Sequence, residues 1–302
     1  DQDRRPDWDR FGQNLIDTAI FPGYDENNDF ISDFNQNDTD DRPNLVPDYE
    51  EPFLRYHTDR PEFLFGIDMN NNGWIDRFEN DNEPDYPYKR DRRGYNSYVG
   101  LHLMSDARLT VGRTDEDLID GDGTNRTTYL MLTLDRDRAN LGRLRFYQYL
   151  RKAKDNIPDH LFQWVQRPDS RGGLVDIQDP LPARDTWINT TYLRFDYKAV
   201  ENFNFVNKLK YEIFHQSDNV SELRETSSFF GLINKADYTL QFGPVDVQPR
   251  WKSEFVRQRP VEERDPARRE LTETLFLVTR FPILRHTLVE LGLEISHFEQ
   301  MR

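Results

Sequence analysis

Oxygen-bearing side chains recur at alternate places in the segment Asp68-Met-Asn70-Asn-Asn72-Gly73-Trp74-Ile75-Asp76-Arg-Phe-Glu79. Carboxylates and amides so closely spaced suit a hard cation, which takes about six to eight oxygens at loose distances. Gly73 permits the sharp turn that wraps a chain around an ion. A second cluster lies upstream, where Asp25, Asn27, Asp29, Asp33, Asn35, Asn37 and Asp41 all fall on odd positions. Asp48, Glu50 and Glu51, after Pro47, extend its donor set. Carboxylates packed this densely repel one another unless cations neutralise them. The competing reading of both segments is an Asn/Asp-rich turn with no ion, since these residues favour turns for local reasons.

The segment 68–79 resembles the EF-hand loop, D-x-[DN]-x-[DN]-G-x5-E, at every specified place. That resemblance implies calcium. Asp68, Asn70 and Asn72 then supply side-chain oxygens and Trp74 a backbone carbonyl. Asp76 binds directly or through water, and Glu79 closes the site with two oxygens. The resemblance covers twelve residues and does not extend to flanking helices, because Gly66 sits where an entering helix would run. The upstream spacing resembles thrombospondin type 3 repeats, in which one acidic residue ends a loop and begins the next, and Asp33 has that place. One calcium site is expected at 68–79, and one or two more around Asp25–Asp41.

These clusters belong to a polar chain. Of 302 residues, 31% are charged and 36% hydrophobic, the mean hydropathy is −0.90 and the net charge −15. An aromatic content of 13% argues for folding rather than disorder. The acidic balance repels nucleic acid and anionic lipid headgroups, and both are discounted as ligands. With no cysteine there is no disulfide, thiolate metal site or cysteine nucleophile. No apolar run reaches the roughly 18 residues of a membrane helix, which leaves a transmembrane β-barrel open. The charged opening Asp1–Pro6 and the stop at Met301-Arg302 are read as a mature or partial chain.

Composition changes near residue 95. Residues 1–93 are rich in Asp, Asn, Glu and Pro and are expected to form an acidic, loop-rich calcium-binding module. Residues 94–302 alternate between apolar and polar side chains with the period of two that marks strands. Thr191, Leu193, Phe195, Tyr197 and Ala199 oppose Thr190, Tyr192, Arg194, Asp196 and Lys198. Similar alternation marks 95–104, 107–113, 126–134, 142–153, 203–215, 226–235, 236–242, 247–255, 271–281 and 289–295. The connections alternate between short (200–202, 282–285) and long and polar (154–184, 216–225, 259–270). Asp115-Glu-Asp117 with Asp120-Gly-Asp122-Gly123 is expected to form an acidic hairpin loop, with an ion as the lesser reading. Asp81, Glu83 and Asp85, followed by Lys89, Arg90, Arg92 and Arg93, are read as a docking segment or a solvated linker.

From residue 95 this pattern resembles the Gram-negative outer-membrane β-barrel superfamily. The runs are long, and their polar faces carry fixed charges of both signs. Aromatics (Trp187, Phe203, Phe205, Phe229, Phe230, Phe281, Phe298) cluster near run ends, where interfacial girdles lie. The resemblance implies a mainly β, antiparallel transmembrane barrel of about 10–12 strands, whole or partial, in the bacterial outer membrane. Its partners would be outer-membrane lipid and other envelope proteins, and its role structural, porin-like transport or complex assembly. The ending Gln300-Met301-Arg302 departs from the aromatic terminus usual in such barrels. The alternative is a secreted or cell-surface soluble β-sandwich for calcium-dependent adhesion or glycan binding. Catalysis finds no nominee. The six histidines are scattered, and His215 and His297, inside strand-like runs, are expected to be lumen or interface residues.

Overall fold

The computed structural model describes residues 52–57, 59–60, 63, 91–157, 160–165, 173–178, 185–218, 224–261, 263–284 and 286–301. Its contacts divide the chain into two compact units. One comprises Asp1–Arg90 with Pro158–Asp179, the other Asp91–Ile157 with Pro180–Arg302.

The second unit is one antiparallel sheet. Its strands are β1 (Arg92–Met104), β2 (Ala107–Leu118), β3 (Thr124–Arg138), β4 (Gly142–Asp155), β7 (Thr186–Tyr197), β8 (Phe203–Gln216), β9 (Thr226–Tyr238), β10 (Leu240–Phe242), β11 (Val245–Arg259), β12 (Arg268–Leu284) and β13 (Thr287–Gln300). They pair in the order β1-β2-β3-β4-β7-β8-β9-β11-β12-β13, with β10 beside β11, making eleven strands. The sheet does not close: among the described residues β1 pairs only with β2 and β13 only with β12. The expected barrel is therefore an open sheet here. The first unit contains a hairpin of β5 (His160–Val165) and β6 (Gly173–Gln178), in the stretch 154–184 that the sequence suggested was connection alone.

The long strands run 12 to 17 residues. Most alternating segments lie inside one of them, usually with longer bounds, but the segment 189–199 overruns β7, which ends at Tyr197. Two details differ. Ala236–Tyr238 belongs to β9, and only Leu240–Phe242 forms a separate strand. The break has a local cause at Pro249, which lacks an N–H to donate. It stands between the stretch of β11 that pairs with β9, from Arg250 onward, and the stretch that pairs with β10, Val245–Val247. At the other hairpin Pro282 and Ile283 remain in β12, which runs to Leu284, and β13 opens at Thr287.

Register gives the sheet two distinct faces. Leu134, Phe146, Leu193, Leu209, Leu232, Phe255 and Leu271 stand directly opposite one another across seven strands. One residue along each strand, Asp135, Arg145, Arg194, Lys208, Ile233, Glu254 and Thr272 form the matching row on the other face. Lys208, Lys210, Lys235, Lys252 and Glu254 are buried on that polar face. On the apolar face Leu101, Val111, Leu130, Leu150, Leu275, Leu277, Leu291, Leu293 and Ile295 are exposed. The polar face also buries Met131, Ile188, Tyr192, Ile233, Val256 and Phe276, so charged and apolar side chains share the buried side while the other face leaves apolar ones exposed, a departure from the ordinary rule.

The connections divide by rim. On one rim the long strands join through 105–106, 139–141, 198–202 and 285–286, with β10 and its turns between β9 and β11. On the other they join through 119–123, 156–185, 217–225 and 260–267. Asp115–Asp117, expected in a loop, are strand residues of β2 paired with β1 and β3, so the acidic loop shrinks to 119–123. Arg92 and Arg93, expected in a docking segment, open β1, where Arg92 forms an ion pair with Glu116 at 3.2 Å. Gly142 has φ +117°, and a Cβ there would stand 1.9 Å from the Asp196 carbonyl oxygen. Gly243, with φ +62°, has open space around it. Gly142→Ala should therefore cost about 3 kcal/mol or more, and Gly243→Ala only about 1 kcal/mol, in denaturant melts. Equal losses would show that backbone contact at Gly142 does not hold the β3–β4 hairpin.

Candidate functional site

Chemistry-bearing side chains concentrate on the polar face of β3 to β12. Three strands, β7, β8 and β11, use one device there, a base followed two residues later by an acid. In β7 Arg194 Nη2 meets Asp196 Oδ1 at 2.9 Å, and in β8 Lys210 Nζ meets Glu212 Oε2 at 3.2 Å. In β11 Lys252 Nζ meets Glu254 Oε1 at 2.6 Å, with side chains 3% and 7% exposed. The period of two puts both partners on one face, so each strand neutralises its own charge. A fourth pair crosses strands, from Arg143 Nε to Asp135 Oδ1 at 2.7 Å. Charges removed from water must be paired or hydrogen-bonded, and this spacing supplies partners locally.

Cations also face one another. Arg145 lies opposite Arg194, which lies opposite Lys208, and Lys235 lies opposite Lys252. Like charges directly opposite destabilise a sheet. The face therefore concentrates positive potential along β4, β7, β8, β9 and β11, interleaved with Asp196, Glu212, Asp237 and Glu254. Aromatic rings flank the charges. The Tyr147 and Tyr192 rings are 6.1 Å apart, Arg151 stands 5.0 Å over Tyr149, and Lys210 stands 5.5 Å over Phe229. Tyr129 covers Gly112, directly opposite it, and its hydroxyl donates to Asn96 Oδ1 at 3.0 Å. Fixed charges among rings can attract and pass polar or anionic solutes. They do not assemble a nucleophile with a base, and among the described residues no three His, Cys, Asp or Glu side chains cluster as a metal site.

The opposite face carries charged residues chiefly toward its ends, and several of its neutral polar groups satisfy one another. Thr191 Oγ1 donates to Gln148 Oε1 at 2.8 Å, Gln148 donates to Asn189, and Asn189 Nδ2 donates to Thr191 Oγ1 at 3.3 Å. Asn207 Nδ2 donates to Asn234 Oδ1 at 2.7 Å, and Glu273 stands opposite His297. His215 also shares this face, and its Nδ1 lies 2.9 Å from Thr226 Oγ1. His215 and His297 thus lie away from the polar face.

Aromatics form a row at the short-turn rim of this face. Successive ring centroids from Phe195 to Tyr197, Phe203 and Tyr238 are 6.2, 6.2 and 6.3 Å apart. At the other rim, Phe230 stacks on Phe255 and Lys152 stands 5.3 Å over the exposed Trp187. Phe229 and Phe298, expected in a girdle, belong by register to the polar face. The sequence lists aromatics at strand ends, but only the register tells which way each one faces.

Two rim carboxylates anchor the turns. Asp106 pairs with Arg136, whose hydrogen bond holds its carboxyl below the usual carboxylate range. Lys152 does the same for Asp185, against the opposing effect of burial. A lowered folded value stabilises the fold above the ordinary carboxylate pKa, and that contribution is lost as pH falls through the lowered value.

Asp25, Asn27, Asp29, Asp33, Asn35, Asn37, Asp68, Asn70, Asn72, Trp74, Asp76 and Glu79 lie outside the described residues. The base-x-acid device and the facing cations went unrecognised as a site in the sequence, although Arg194-Phe-Asp196, Lys210-Tyr-Glu212 and Lys252-Ser-Glu254 signal the former. Lys252→Met should cost about 3–5 kcal/mol by stranding Glu254, and adding Glu254→Leu should recover most of that loss. Additive losses in urea melts would mean that the pair is not a unit. Comparison with known protein families, with curated proteins and with solved structures finds no match for this chain.

Proposed function

We propose that this chain is a bacterial outer-membrane β-barrel component with a calcium-stabilised extramembrane module. Its role is structural, transport or complex assembly, and its partners are outer-membrane lipid and other envelope proteins. The observation that carries this reading is the inverted sheet, with apolar side chains exposed and Lys208, Lys210, Lys235, Lys252 and Glu254 buried. A membrane barrel needs that arrangement, because lipid covers the apolar face and water or a partner fills the lumen. A soluble sandwich needs the reverse, with the apolar face packed as its core.

Further features support the same reading. Strands of 12 to 17 residues exceed the roughly 9–11 that span a bilayer. Short connections on one rim and longer ones on the other fit the habit of such barrels. The Phe195–Tyr197–Phe203–Tyr238 row suits a membrane–water interface, where aromatic rings gather. Polar groups on the apolar face are largely hydrogen-bonded to each other, which lowers their cost in hydrocarbon. Lipid cannot satisfy an open strand edge, so β1 and β13 must pair with one another or with further strands in the membrane.

The donor set at 68–79 suits calcium and would hold it through Asp68, Asn70, Asn72, Trp74, Asp76 and Glu79. Residues 1–90 carry 23 Asp and Glu against 9 Lys and Arg, a surplus that bound cations offset. The ion is structural in this reading, keeping an apolar-poor segment in one shape.

Two experiments test the proposal. Protein refolded with phosphatidylcholine vesicles should float with them through a density gradient, resist alkaline extraction, and migrate differently on gels before and after boiling. A chain that stays in the aqueous fraction as a soluble monomer contradicts the barrel. Separately, chelation should lower the melting temperature, and Asp68→Ala with Glu79→Ala should abolish most of that sensitivity. Calcium at a hundredfold excess over its dissociation constant stabilises by about 2.7 kcal/mol. A melt unmoved by chelator would leave the loop as a turn.

A further inference from the structure

A cavity of about 740 Å³ opens at the long-connection rim, among the ends of β9, β11, β12 and β13. Arg224, Arg257, Arg259, Arg268 and Arg269 line it, with Ser228 between them. Two of these arginines build the walls. Arg224 Nη1 donates to the Pro260 carbonyl at 2.7 Å, and its Nη2 donates to the Glu263 and Asp265 carbonyls at 2.8 and 2.7 Å. The Arg224 amide also donates to the Val261 carbonyl at 2.8 Å. Connection 260–267 is thereby fastened to connection 217–225. Arg268 Nε donates to Gln258 Oε1 at 2.9 Å across the polar face.

The remaining three arginines stand differently. Arg257, Arg259 and Arg269 are exposed on the apolar face, and Arg257 lies directly opposite Arg269. Arg269 stands 5.9 Å over the Phe255 ring. Among the described residues no carboxylate forms an ion pair with any of the three, although Glu299, opposite Leu271, shares their face. Two guanidinium groups held face to face destabilise the sheet unless an anion lies between them. Guanidinium forks match phosphate oxygens in geometry as well as charge.

The cavity also adjoins an apolar surface crossed by one polar row, Ser253, Glu273 and His297. Along that face below the arginines come Phe255 and Leu271, then exposed Leu275, Leu277, Ile295 and Leu293. A cationic pocket at the head of an apolar strip is complementary to one molecule with an anionic head and acyl tails. We propose that the cavity seats the phosphate-bearing headgroup of a lipid, with Arg257, Arg259 and Arg269 on the phosphate and the acyl chains along β11, β12 and β13. This deepens the membrane reading and rests on it.

The test uses the full chain in two arms. In the first, protein is refolded in phosphatidylcholine vesicles with and without a tenth of diphosphoryl lipid A, extracted in mild detergent, and analysed by native mass spectrometry. Lipid A should be retained at about one copy. The triple variant Arg257→Gln, Arg259→Gln and Arg269→Gln should retain at least tenfold less, while floating and heat-modifying like the parent. Equal retention by the variant overturns the proposal. Arg113→Gln with Arg126→Gln, on the same rim of the apolar face but outside the cavity, should retain lipid like the parent, and a matching loss there means unspecific charge attraction and also overturns it. In the second arm, inorganic phosphate is titrated onto the detergent-solubilised protein. Phosphate that competes only weakly with lipid A supports a lipid site. Phosphate that binds as tightly as lipid A makes the cavity a free-anion site and overturns the lipid assignment. Failure of the parent to enter vesicles overturns both this inference and the membrane reading. Flotation with no lipid A retained overturns this inference alone.

Discussion

A strand whose side chains alternate in character must present two unlike surfaces, and a sheet of such strands must find two unlike environments. The rest of this structure follows from that constraint. The register keeps the alternation coherent across ten long strands, so the row Leu134–Leu271 is apolar throughout while the adjacent row is dominated by charged side chains. A slip of one residue at any strand would move its charges into the apolar row. The charged row is the buried one. Its cost is met by base-x-acid pairs within strands, set among the buried apolar and aromatic side chains that share the face, such as Met131, Ile188, Tyr192, Ile233, Val256 and Phe276.

The same constraint explains a chain that is very polar in mean hydropathy and still suits a bilayer. A helix crossing lipid must be apolar all round, whereas a strand needs only alternate residues to be so. The other half is free to be Lys, Arg, Asp and Glu, and here it is. Polar residues that do fall on the apolar face, such as Gln148, Asn189 and Thr191, bond to one another. The charges on that face gather toward the rims, as with Arg136 beside Asp106 at one end and Arg257 and Arg269 at the other. Such an axial distribution suits a slab of hydrocarbon bounded by water on both sides.

Much of the fold was legible from residues alone, because period two is a direct consequence of strand geometry. Nearly every alternating segment became a strand. Alternation cannot say which face is buried, since that depends on how the strands associate, and a position near a run end likewise does not say that Phe229 and Phe298 share the polar face. It cannot say whether the sheet closes. The β5–β6 hairpin was missed because its two runs of six residues, Leu161–Val165 and Leu174–Ile177 within them, sit in a Pro/Gly-rich stretch and are too short to establish a period. The calcium reading of 68–79 rests on something different, donor chemistry at fixed spacing. The arginine cavity was not legible, since Arg224, Arg257 and Arg269 meet only through strand pairing and a fastened connection.

Sidedness is the heart of the account, and the absence of cysteine makes it directly measurable. Single cysteines at Leu275 and Leu293 on the apolar face, and at Thr190 and Thr274 on the polar face, can carry an environment-sensitive fluorophore in vesicles. Labels at 275 and 293 should be blue-shifted and quenched by brominated acyl chains. Labels at 190 and 274 should be insensitive to the bromolipid. Quenching at 190 and 274 with none at 275 and 293 would contradict the account.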